Sequence, residues 1–247
     1  MARSKYYNPT TQQWEYADRN PLPTGLDAGD ILVWDGDEWV AQQPSALPAA
    51  YQEVEYIEST GTQYIDTGCK PNESIAIEAE FAVTSSSTNQ GLYGGRGTGG
   101  AEQAVCLVSA ENTEKLRFDY STGIANVPNN FIYTGSVYDR TKFKIESTAN
   151  AVNAYVNDVS QFSQSETFAD FEGDYSISIF AVNTANTKGL FGSFRLYSFK
   201  VWKGETMLRN FVPVYNVNNG DIGLYDFVSG GFYGNAGTGT FLKGADV

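Results

Sequence analysis

Glu78 and Glu80 stand two residues apart in SIAIEAEFAV (74–83), a spacing that puts both carboxylates on one side of an extended chain. Two carboxyl groups about 5–5.5 Å apart are what retaining hydrolysis of a glycosidic bond requires, one as nucleophile and the other as acid and base. The same stretch sends Ile75, Ile77, Ala79, Phe81 and Val83 to the opposite side. The acids are therefore read as the solvated face of a half-buried strand, and no catalytic residue is assigned. Histidine is absent from all 247 residues. That removes imidazole bases, Ser-His-Asp and Cys-His nucleophiles and His-ligated zinc.

Other groups with chemical potential are few. LYGGRGTGG (92–100) is glycine-rich, but it lacks the Lys-Ser/Thr and the following helix of a phosphate loop, and is expected to be a flexible loop between strands. Asp170, Glu172 and Asp174 in ADFEGDYS offer oxygen ligands to Ca²⁺, although no defined calcium-loop spacing is present; a solvated loop is the expectation, with no cofactor and no metal site assigned. Cys69 and Cys106 are too few for a framework and read as two small buried thiols, with a single bridge as the alternative. Sugar recognition needs an aromatic face with Asn, Asp or Arg beside it. Tyr93 and Arg96, with Asn183 and Asn186 in AVNTANTKG (181–189), are the ligand-binding candidates, a purely turn-shaping role being their alternative.

Sixteen Lys and Arg oppose 29 Asp and Glu, a net charge of −13. With no basic run, nucleic acid and anionic membranes are excluded as partners. No apolar stretch reaches the ~18 residues of a membrane span, and MARSKYYNPT lacks the apolar core of an export signal. The expectation is synthesis in a cytoplasm without Sec-type export.

Period-2 alternation positions Glu78 and Glu80 on a strand. It recurs in KLRFDY (115–120), TKFKIE (141–146) and YSISIFAV (175–182). NAYVNDVSQF (153–162) reads as a hairpin turning at Asn157-Asp158. In GLFGSFRLYSFKVW (189–202) the alternation slips between Leu196 and Tyr197, which predicts a bulge or a strand apolar on both faces. The pattern is an all-β antiparallel sandwich. Ahead of it, KYYNPTTQQWEYAD and DILVWDGDEWVAQQ read as hairpins. The second turns either at Asp35-Gly36 or through a four-residue loop pairing Trp34 with Trp39. A linker, QQPSALPAAYQ (42–52), places a boundary near Pro48, between a segment 1–47 and a body 48–247. A lone two-stranded hairpin is marginal in water, so the front segment needs a partner surface.

YIDTG (64–68), YVNDVSQF and GLFGSFRLYSFKVWKGE resemble the landmark strands of the concanavalin A-like, laminin-G-like jelly roll over about residues 50–215. Tyr155, Val156, Asn157 and Asp158 match its mid-domain hairpin, and Gly192, Phe194, Leu196 and Tyr197 match the strand that follows. VEYIESTGTQYIDTG and GLYDFVSGGFYGNAGTGTFLKG resemble versions of this fold in bacteriophage and prophage structural proteins, and GDILVWDGDEWVAQ resembles short repeats of phage head-fibre and tail-fibre proteins. The resemblance implies an antiparallel jelly-roll sandwich preceded by a short N-terminal hairpin attachment segment. It implies a non-enzymatic virion appendage, a fibre or decoration protein, displaying a carbohydrate-adhesion domain to bacterial surface glycans. It also implies a homo-oligomer, a trimer, seated on capsid or tail proteins. Trp14, Trp34 and Trp39 are then the assembly residues, each contributing about 2–3 kcal/mol if buried between copies; packing of the hairpins on the body's own surface is the alternative. The glucanase branch of this fold carries Glu-x-Asp-x-x-Glu on one strand. Here Val83 replaces the third acid and Trp-rich flanks are missing, so hydrolysis ranks below a bacterial surface lectin-like module as the alternative function.

Overall fold

The computed structural model describes strand backbones at 5–8, 13–16, 31–34 and 39–42, and residues 47–247 apart from 86–88, 101, 109–115, 122–135, 149 and 166–169. Two compact units divide the chain, Met1–Ala46 and Leu47–Val247. In the first, β1 (Lys5–Asn8) pairs with β2 (Gln13–Tyr16) and β3 (Ile31–Trp34) with β4 (Trp39–Gln42), both antiparallel. Trp34 stands opposite Trp39, the register of the four-residue connection. What the side chains of Trp14, Trp34 and Trp39 touch lies outside the described residues.

The second unit begins with β5 (Tyr51–Glu53), β6 (Ile57–Glu58), β7 (Ile65–Asp66), β8 (Ile75–Val83), β9 (Gln90–Arg96), β10 (Gln103–Val108) and β11 (Leu116–Ser121). It continues with β12 (Thr141–Thr148), β13 (Ala151–Val156), β14 (Val159–Ser165), β15 (Ser178–Ile179), β16 (Val182–Thr184) and β17 (Thr187–Gly189). It ends with β18 (Phe194–Lys203), β19 (Thr206–Asn216), β20 (Ile222–Asp226), β21 (Gly231–Gly234) and β22 (Leu242–Lys243). The larger sheet runs β14-β13-β12-β8-β18-β19-β20-β21, with β5 on β19, β6 on β18 and β22 on β6. The smaller runs β11-β10-β9-β15-β7, with β16 beside β9 and β17 beside β16. Every pairing is antiparallel except that of β16 with β9.

The two sheets enclose one apolar core. Phe81, Phe143, Phe194, Phe199 and Phe211 of the large sheet share it with Ile65, Tyr93, Cys106, Phe118 and Ile179 of the small one. Tyr93 meets Phe199 edge-on, their ring centroids 5.5 Å apart. This is an all-β antiparallel jelly-roll sandwich, as the alternation predicts: β12 turns Thr141, Phe143, Ile145 and Ser147 inward and holds Lys142, Lys144 and Glu146 half-exposed. At the β13–β14 turn Asn157 and Asp158 take φ of 48° and 64°, the paired left-handed geometry that suits a two-residue hairpin. The slip in β18 is a bulge. Pairing with β8 shifts between Leu196 and Ser198, and burial passes from Phe194 and Leu196 to Phe199 and Val201.

Two expectations need correction. Leu92–Arg96 is not a loop but the central strand β9, hydrogen-bonded along its length. Its glycines are there because neighbours press on it: a Cβ on Gly95 would sit 2.9 Å from the carbonyl oxygens of Tyr175 and Ser176, and one on Gly91 2.8 Å from that of Leu190. The strand expected over 175–182 shrinks to Ser178–Ile179, because Phe180 takes φ 68° and breaks the extension. Its ring is buried and stacked on Phe194 at 4.3 Å, which holds a conformation a bulky residue otherwise avoids. Both cysteines are free and buried.

Candidate functional site

The four sugar-binding candidates divide. Tyr93 is wholly buried, with no ring face open to a ligand. Burial pushes its phenol and the neighbouring Cys106 thiol well above their ordinary ranges. Asn183 is buried as well; its Nδ2 donates to the Ser176 carbonyl at 2.8 Å. Arg96 and the β16–β17 turn do meet: Arg96 Nε donates to Thr184 Oγ1 at 2.8 Å, and the amide of Ala185 donates to the Arg96 carbonyl at 3.0 Å. Asn186 is the exposed tip of that turn, at φ 68°. Two of the candidates thus share one end of the sandwich, and two serve the interior.

The acidic pairs are spoken for. Glu80 accepts two hydrogen bonds from Arg140, at 2.7 and 3.0 Å, and Glu78 lies 3.4 Å from the Lys200 ammonium. Glu172 pairs with Lys203 at 3.4 Å, and Asp170 and Asp174 are exposed. No group of three or more acidic or sulfur side chains among the described residues is placed to hold a metal ion.

The outward face of the large sheet offers something else. Beyond the bulge Val201 points inward, so Trp202 points out. Register places Trp202 of β18 opposite Ala76 of β8, and Ala76 opposite Glu146 of β12. A methyl group between two large side chains leaves a gap. It is the floor of a cleft of about 520 Å³ walled by Trp202, Lys144, Glu146, Thr148 and Glu205. Lys144 and Glu146 pair at 3.1 Å across the wall.

The state of the Trp202 ring separates it from five tyrosines of the same unit. Tyr197 lies under Arg140 at 4.3 Å, Tyr56 under Arg195 at 4.6 Å, Tyr155 under Lys144 at 6.0 Å, and Tyr64 and Tyr215 under Lys188 and Lys243. Trp202 has neither a cation nor another ring against it among the described residues, and it is the one Trp of the 47–247 unit. A second cleft, about 320 Å³, is floored by Phe232 and Asn235 near the C-terminus. There Phe232 stacks on Tyr51 at 5.5 Å, and the Asn235 Oδ1 accepts from the amides of Tyr64 and Gly237. Those groups are used up. The Trp202 cleft is the candidate site.

No family model matches this chain, and no curated protein sequence matches it. Solved structures do. A candidate carbohydrate-binding protein from Bacteroides ovatus superposes with a TM-score of 0.52 at 11% identity, over 88% of this chain and 67% of the other. The sialidase carbohydrate-binding module of Ruminococcus gnavus, solved with α2,3-sialyllactose, gives 0.50 at 12% identity, over 64% of this chain and 92% of its own. Domains LG4–5 of the mouse laminin α1 chain give 0.46 at 11% identity, covering 80% and 52%. The likeness is one of fold.

Sequence reasoning passed over Trp202. Its signal was present: a large aromatic in the polar phase of KVWK, between two lysines. The unassigned slip upstream hid that phase.

Proposed function

We propose that the 47–247 unit binds carbohydrate without cleaving it, seating the apolar face of a sugar ring on Trp202 while Lys144, Glu146 and Glu205 meet its hydroxyls. The observation that carries this reading is the indole above the Ala76 gap, with no ring or cation against it among the described residues, on a sheet whose Tyr56 and Tyr197 carry cations. An aromatic plane with polar groups beside it suits a pyranose, apolar on its faces and polar at its rim. Sharing a fold with carbohydrate-binding proteins agrees with it. The test is a glycan array on the full chain followed by calorimetry on the best neutral hit. Trp202→Ala should abolish retention; retention that survives it, or release of reducing sugar during the assay, overturns the reading.

The role we propose for the whole chain is that of a virion appendage held by its first 47 residues. Its supports are the sequence resemblance to phage fibre repeats and two hairpins of four-residue strands, each too slight to fold alone. A trimer in light scattering that becomes monomeric without residues 1–47 is the expected result, and a monomeric full chain counts against it. A bacterial surface lectin-like module remains the second reading, favoured by the same cleft.

A further inference from the structure

On the other side of the turn that closes the Trp202 cleft lies a second opening, about 330 Å³, with Gly68, Lys70, Glu172, Lys203 and Arg209 on its walls. The two openings share walls through consecutive residues: Lys203 borders one, Gly204 and Glu205 the other. The amide of Ser74, at the first, donates to Asn72 Oδ1, at the second, at 3.1 Å.

Three cations converge here in a chain of net charge −13. Arg209 is fixed before any ligand arrives. Its Nε donates to the Thr67 carbonyl at 3.0 Å, its Nη1 donates to the Leu208 carbonyl at 2.7 Å, and its guanidinium lies over the Tyr233 ring at 5.6 Å. Asp226 lies 3.6 Å from Nε, but that buried carboxylate is already satisfied by the amides of Asn210, Val228 and Ser229 at 2.8, 3.1 and 3.2 Å. The remaining prong, Nη2, makes no hydrogen bond among the described residues. It faces Gly68, where a Cβ would stand 3.3 Å from it. Gly68 takes φ 70°, so a side chain is excluded there both by the backbone and by the guanidinium. Lys70 is exposed and makes no ion pair among the described residues, and Lys203 is held only by the exposed Glu172 at 3.4 Å.

We infer that this opening receives an anionic substituent of the glycan, a carboxylate or a sulfate ester, while the neighbouring sugar sits on Trp202. The inference rests on the reading of the Trp202 cleft as a sugar site and adds the class of sugar: an acidic one. A preorganised guanidinium with an unused donor, joined by two mobile ammonium groups, matches an oxyanion and gives nothing extra to a neutral hydroxyl. The surrounding negative charge slows the approach of such a ligand, so recognition is short-range and weakened by salt.

The test uses the full chain and four probes: tetragalacturonate, its methyl ester, a sulfated dextran oligomer and the unsulfated oligomer. At least one acidic probe should bind about tenfold more tightly than its neutral partner, a preference that falls as salt rises. Lys70→Glu and Lys203→Gln, both at exposed positions, should erase that preference and leave neutral binding as it was. A preference confined to tetragalacturonate assigns the anion to a carboxylate; one shared by both acidic probes assigns it to either group. Equal affinity for charged and neutral partners, a preference that survives both substitutions, or no binding of either acidic probe overturns the inference. The proposed role of Trp202 fails separately, if Trp202→Ala leaves neutral binding intact.

Discussion

The outward face of the large sheet holds aromatic side chains in two different conditions. At one end Tyr56 and Tyr197 meet edge-on at 5.6 Å under the guanidiniums of Arg195 and Arg140, and those are held in turn by Glu58 and Glu80. At the other end Trp202 stands over a gap with no ring or cation against it among the described residues. The first group is closed: every charge and ring already has a mate within itself. The second is open, and in the proposed reading an incoming sugar completes it. Exposed aromatic surface is ordinary; an aromatic ring with no ring or cation against it, beside polar side chains, is what marks a candidate site.

Both groups stand on the same core, and the largest effect expected is on that foundation. Phe194→Ala removes a ring stacked on Phe180 at 4.3 Å and close to Phe81, and should cost about 3–5 kcal/mol in denaturant unfolding. A loss below about 1 kcal/mol would show that the core collapses readily around it.

Alkali acts next. Burial raises the Cys106 thiol above its ordinary 9.0 and the Tyr93 phenol above its ordinary 10.0, with Cys69 and Tyr120 shifted the same way. The unfolded chain therefore loses these protons first. The stability they contribute is whole below pH 9 and drains as pH climbs through 9 and 10. Chemical unfolding at pH 7, 9 and 10.5 should show a falling midpoint; a flat profile would contradict the burial of these groups.

Trp202→Ala should reduce glycan affinity by about tenfold or more while moving stability by less than about 0.5 kcal/mol, the signature of an open group. Arg140→Ala should do the reverse on a small scale. Breaking its exposed pair with Glu80 should cost about 0–1 kcal/mol with glycan binding unchanged. If Arg140→Ala impairs binding as much as Trp202→Ala does, the two ends form a single site and the contrast between them fails.

The sandwich could be read from the sequence because one face of each strand is buried and the side-chain period is two. β12 and β13 each carry that rule intact, and β8 keeps it through its centre, where Glu78 and Glu80 alternate with Ile77, Ala79 and Phe81. Reading failed where tertiary contact overrode local chemistry. Gly94 and Gly95 look like flexibility, yet they are spaces kept clear for the Val105 and Val182 side chains and for the backbone at Tyr175 and Ser176, and nothing in the local composition reports a neighbour about 80 residues away. Tyr93 looks like a sugar platform in a loop and becomes a core ring once that loop is a strand. The site was hidden for another reason: the small residue that opens it, Ala76, is on a different strand from the ring that lines it.

The bulge between Leu196 and Ser198 has one more consequence. Counted from Phe194 in strict twos, position 202 belongs to the interior; a single supernumerary residue moves it outside. The proposed recognition surface is thus switched on by frame, not by composition. Inserting one residue between Ser198 and Phe199, paired regularly with β8, would swing Lys200 and Trp202 into the hydrocarbon interior and send Phe199 and Val201 to solvent, with every other amino acid of the strand unaltered. Insertions and deletions in this one strand can create or erase a surface of this kind in a way substitutions cannot.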